Sequence, residues 1–90
     1  MTEYLEARFD SRKSFYNKAT VTEDKNGKYL TSYNTVVARI TDKYNGYAIT
    51  PYAEVYGTYS QTTLRHIKEF LKQNGFKAEN KAQIERCYLR

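Results

Sequence analysis

Apolar residues recur at Leu64, Ile67, Phe70 and Leu71, a spacing that gathers them on one side of a helix turning about 100° per residue. Arg65, Lys68 and Lys72 fall on another side, within an arc of roughly 60°. Both ends of this helix are marked. Ser60 suits the N-cap, where its hydroxyl accepts from a backbone N–H two or three residues on. Tyr59 and Leu64 occupy the two positions of a hydrophobic staple. Gly75 supplies the left-handed conformation that ends helices, and Phe76 then folds back on Leu71. The pattern predicts a helix over about 61–74. A second helix, over about 81–89, follows from Asn80 as cap and the short apolar face of Ile84, Cys87 and Tyr88. Arg86 and Arg90 sit near the negative end of its dipole.

Upstream, the period changes to that of strands. Two Asn-Gly pairs, Asn26-Gly27 and Asn45-Gly46, lie between runs rich in β-branched and aromatic residues, and this dipeptide favours the tight turn of a two-residue hairpin. The first turn would place Lys25 opposite Lys28, and the second Tyr44 opposite Tyr47. Strands are expected over 15–23, 28–33, 35–43 and 47–50. Val36, Ala38 and Ile40 alternate onto one face of the third, with Val37, Arg39 and Thr41 on the other. Pro51 is tolerated at a sheet edge or a bulge, so residues 52–56 either continue the fourth strand or form a fifth. Residues 4–9 fit an edge strand or a helical turn. The expected fold is α+β, in one domain of 90 residues. It is an antiparallel meander of three to five strands with two Asn-Gly hairpins, followed by two helices, the first covering one sheet face.

Composition adds a charge and a contact chemistry. Fifteen Lys and Arg stand against ten Asp and Glu, a net charge of +5, which favours anionic partners, nucleic acid first. Ten tyrosines and no tryptophan suit half-buried strand positions and protein interfaces alike. No apolar run approaches the length of a membrane span, and the first residues, MTEYLEARFDSRK, have no signal-peptide core. Cys87 has no cysteine to pair with, which fits a reducing cytoplasm. Its expected role is a small apolar filler on the last helix.

Catalytic chemistry has little to stand on. His66 is the one histidine, at the border of the apolar face. A general base needs an orienting partner and a reacting group, and no pattern supplies them, so a hydrogen bond to a strand or to Tyr59 is the expected role. One histidine and one cysteine twenty-one positions apart make no zinc site, and no glycine-rich loop cradles a phosphate. No enzyme activity, metal, cofactor or small-molecule substrate is expected. Thr62 and Thr63 open the helix beside exposed N–H groups, where capping is the simplest role.

Two segments resemble a known domain. Ser32, Tyr33, Thr35, Val37 and Ala38 match a strand motif, and Tyr59, Ser60, Thr62, Thr63, Arg65, His66, Ile67, Glu69, Phe70 and Leu71 match a helix motif. Together they resemble a small domain of unknown function seen in phage and mobile-element proteins of bacteria. The resemblance spans Leu30 to Phe76 and implies a viral accessory protein in the bacterial cytoplasm, without implying an activity.

Two functional expectations remain open. In the first, the protein occupies the surface of a host complex, for instance a defence complex, as an anti-CRISPR protein does. In the second, it binds DNA or RNA directly, with Arg65, Lys68 and Lys72 on phosphates and tyrosines of the sheet, Tyr33, Tyr52 and Tyr56 among them, on bases. His66 borders that surface. A homodimer through an exposed strand edge is a third, structural possibility.

Overall fold

A computed structural model describes residues 1–10, 15, 17–44, 46–57 and 60–90. Five strands, β1 (Thr2–Tyr4), β2 (Ala19–Asp24), β3 (Gly27–Ser32), β4 (Thr35–Tyr44) and β5 (Ile49–Val55), precede two helices, α1 (Gln61–Gln73) and α2 (Lys81–Cys87). The strands pair antiparallel in chain order, β1-β2-β3-β4-β5, so each strand lies beside the one that follows it. This is the α+β meander expected from the turn spacing.

Charge and core burial adjust the registers. In the first hairpin Glu23 pairs with Lys28 and Asp24 with Gly27, leaving Lys25 and Asn26 as the turn. The Asn26 N–H donates to Asp24 Oδ1 at 2.7 Å, so an Asx turn with glycine at its fourth position replaces the expected Asn-Gly turn. The predicted Lys25–Lys28 juxtaposition gives way to an opposite-charge pair, Lys28 Nζ to Glu23 Oε2 at 3.8 Å. A side chain on Gly27 would collide with the Ile40 carbonyl, and its φ of +140° suits glycine alone. In the second hairpin Tyr44 opposes Ile49 rather than Tyr47, and Tyr47 is fully exposed at the tip. The longer loop sets Ala53 and Val55 against Ile40 and Ala38, so all four side chains are buried. The shorter turn would have put Pro51 opposite Ile40. Pro51 instead lies within β5, at the edge of the sheet, where its missing N–H is tolerated.

A bulge breaks the expected alternation of β4. Leu30 pairs with Ala38 and Thr31 with Val36, which leaves Val37 as an extra residue. Val37 and Ala38 are consequently both buried, while Val36 is exposed, the reverse of the expected assignment for Val36 and Val37. The β2 strand also starts later than expected, at Ala19.

Helix α1 has the caps expected of it. Ser60 Oγ accepts from the Thr63 N–H at 3.2 Å. At the other end the Phe76 N–H reaches the Leu71 carbonyl at 2.9 Å, and Gly75, at φ +84°, donates to Lys72 at 3.1 Å. These are the two bonds of a Schellman ending. Tyr59, the outer half of the expected staple, lies outside the described residues. Ile67, Phe70 and Leu71 pack into a core shared with Leu30, Ala38, Val55 and Ile84, each large side chain worth roughly 1.5–3 kcal/mol relative to exposure. Leu64 is only partly buried. The core-facing side is rotated away from Leu64 and takes in Thr63, His66 and Glu69.

Helix α2 buries Ile84, whereas Cys87 is exposed rather than filling the core. The chain then returns to the edge of β5, where the Val55 N–H donates to Tyr88 and the Arg90 N–H to Val55, both at 2.9 Å.

Candidate functional site

The row of cations runs along the solvent side of α1. Arg65, Lys68 and Lys72 line a shallow groove of about 220 Å³ together with Phe9, Asp10 and Glu69. The far wall of this groove is the chain segment leaving β1, and its position is set by a buried carboxylate. Glu69 is 2% exposed. Its Oε1 accepts the backbone N–H groups of Arg8, Phe9 and Asp10 at 3.0, 2.8 and 3.0 Å. Its Oε2 accepts from Gln73 Nε2 at 2.7 Å, and the same nitrogen donates to the Glu6 carbonyl at 2.6 Å. Three consecutive N–H groups converging on one carboxylate oxygen form an anion nest, here filled by the protein itself. The segment is thereby held beside the cations, and Phe9 stays 58% exposed.

Several other basic side chains are engaged. Arg39 Nη2 pairs with Glu54 Oε1 at 3.1 Å, and Arg90 Nε approaches Glu54 Oε2 at 3.8 Å. The hydrogen bond that Arg39 donates to Glu54 holds the guanidinium pKa above its ordinary value. Lys28 meets Glu23 and Asn74, Arg8 meets Glu6, and Lys72 lies 4.0 Å from Glu79. Arg65 and Lys68 have no ion pair among the described residues.

Tyr52 and Tyr56 do not join this row. Thr41 pairs with Tyr52 and Ile40 with Ala53. Ala53 is buried toward α1, so Tyr52 stands on the opposite, uncovered face of the sheet. Lys43 Nζ lies 3.7 Å from the Tyr52 ring centroid, and the Arg90 guanidinium lies 5.6 Å from that of Tyr56, so each ring already has a cation over it. Tyr33 occupies the β3–β4 turn at φ +58°, a conformation costly for a residue with a side chain. Its N–H donates to the Lys18 carbonyl at 2.7 Å, and its ring centroid is 6.0 Å from that of His66.

His66 is 1% exposed. Nδ1 lies 2.8 Å from Ser32 Oγ, which lies 3.0 Å from Thr63 Oγ1, and Ser60 Oγ donates to Thr63 Oγ1 at 3.3 Å. Run in one direction, these bonds give each hydroxyl an acceptor and end on a neutral imidazole. Phe15 presents an edge to the ring, with centroids 4.9 Å apart. This is the contact to a strand expected of His66, in a network buried at Ser32, Thr63 and His66. Burial pushes the His66 pKa below its ordinary value, and the charge of Asp10 pulls it partly back. A depressed histidine pKa means that the unfolded chain takes up the proton first. Stability is therefore full above the unfolded value of about 6.5 and falls as pH drops below it, levelling off beneath the folded pKa. The thermal midpoint should fall between about pH 7 and pH 5.5, and His66→Gln should flatten that slope. An equal slope in the variant would remove His66 as its source.

Sequence reasoning missed Glu69, Phe9 and Asp10 as parts of this site. The one trace is spacing. Glu69 stands three residues after His66 and four before Gln73, so the three share a helix flank. Their partner segment lies some sixty positions away in the chain. Among the described residues, no group of three His, Cys, Asp or Glu side chains gathers as metal ligands, and no helix is long and apolar enough to cross a membrane.

Fold and groove together define a small meander-plus-two-helix domain with a basic groove on its first helix. The chain belongs to a family of unknown function, DUF8033, whose model matches residues 4–86. No curated protein and no solved structure matches it significantly.

Proposed function

We propose that this protein is a binding protein rather than an enzyme, and that it engages nucleic acid through the groove on α1. The observation that carries this reading is the alignment of Arg65, Lys68 and Lys72 along one groove, with Arg65 and Lys68 unpaired among the described residues. Three cations on successive turns match the repeat of backbone phosphates, and releasing the counterions of those phosphates drives binding. Fluorescence anisotropy with short DNA and RNA is the test. Affinity should fall steeply between about 50 and 200 mM salt, and Lys68→Glu with Lys72→Glu should reduce it about 100-fold or more at the lower salt. Affinity unchanged by the double reversal would rule the groove out.

A second reading, in which the protein covers a surface of a host complex as a phage accessory inhibitor, rests on a different feature. Tyr44, Tyr47, Ile49 and Tyr52 are all exposed at the β4–β5 hairpin, and aromatic side chains of this kind anchor protein interfaces. The resemblance to phage-encoded domains supports that role in a bacterial cytoplasm. A stoichiometric host protein captured by the wild type, and lost on Tyr47→Ala with Ile49→Ala, is its expected signature.

A further inference from the structure

Resting on the nucleic-acid reading of the groove, we infer that the groove takes a single strand, with one base stacked on the Phe9 ring and the flanking phosphates on Arg65, Lys68 and Lys72. Phe9 is a large apolar side chain left 58% exposed beside three cations. Its backbone is fixed by the 2.8 Å bond from its N–H to Glu69 Oε1, between two similar bonds from Arg8 and Asp10. A buried carboxylate thus spends its hydrogen bonds on holding an exposed aromatic in place. Such preorganisation removes the ordering cost that a free loop pays on binding.

The chemistry of the pair selects the ligand. Cations alone accept duplex or single strand, since both carry phosphates. An aromatic face adds affinity only where a base face is free, and in a duplex the bases are stacked on one another. Tyr52 does not compete for this role, because it lies on the far face of the sheet beneath Lys43.

The experiment compares a labelled oligothymidine of about 12 nucleotides with a duplex of the same length at about 50 mM salt, where phosphate contacts are strongest. The proteins are the wild type, Phe9→Ala, Phe9→Tyr and the Lys68→Glu, Lys72→Glu double variant. Phe9→Ala should weaken single-strand binding about 10-fold or more, leave duplex binding within about twofold, and be rescued by Phe9→Tyr. Unchanged single-strand affinity in Phe9→Ala, with binding lost in the double lysine variant, overturns the stacking role and leaves the basic groove standing. Equal losses on single strand and duplex also overturn it. No binding by the wild type overturns both this inference and the reading beneath it.

Discussion

Glu69→Ala is expected to lower the unfolding free energy by about 3 kcal/mol or more, seen as a marked drop in the urea midpoint. The carboxylate accepts three backbone N–H groups and the Gln73 amide from a nearly sealed position. Hydrogen bonds to a charged acceptor contribute about 1.5–3 kcal/mol each, and the donors left behind carry their own desolvation cost. Part of the loss is recovered because Arg8 and Phe9 are near solvent and water can replace the acceptor. Glu69→Gln should lose less, since its carbonyl oxygen still faces the three N–H groups while its amide meets the amide of Gln73. An unfolding free energy for Glu69→Ala within about 0.5 kcal/mol of the wild type, the range of ordinary surface substitutions, would show that the segment is held by something else. The same variant should loosen Phe9, so single-strand binding should fall with it although no groove cation has changed.

Phe70→Ala should cost about 3–5 kcal/mol, enough to unfold much of a domain this small near physiological temperature. Phe70 is fully buried between α1 and the sheet, and a rigid sheet on one side with a helix on the other limits how far the cavity can collapse. The contrast is Leu64, which belongs to the same helical stripe in sequence but is only partly buried. Leu64→Ala should cost less than about 1.5 kcal/mol, because part of that side chain stays in contact with water in the folded state. Equal losses from the two substitutions would mean that α1 is rotated from the orientation described.

The position of Glu69 explains why the site was only half legible. The cationic row is a local property: three residues on one helix, spaced by helical geometry, keep their relation whatever else the chain does. Phe9 belongs to the site only because an N-terminal segment crosses α1 and is caught by a carboxylate about sixty positions later. Nothing local to Phe9 marks it, and an acidic residue in an otherwise basic helix reads as a solvated charge. The tyrosines show the reverse. Their number predicts a contact surface, but strand parity places Tyr52 on the face opposite α1, so one imagined surface becomes two.

Much of the architecture was local and therefore readable. Ser60 and Asn80 cap their helices, Gly75 and Phe76 close the first one, and turn residues mark two hairpins in a meander. Each is decided by side chains within a few residues of the backbone groups they satisfy. Tertiary contact decided what local rules leave degenerate. Burial of Ala53 and Val55 chose the register of the second hairpin, and the bulge at Val37 put two successive residues of β4 into the core. The orientation of α1 followed from its polar flank. Thr63, His66 and Glu69 are drawn inward because Ser32 and the backbone of residues 8–10 satisfy them there. A buried polar group is tolerable only where a partner waits, and that partner is supplied by a distant part of the chain.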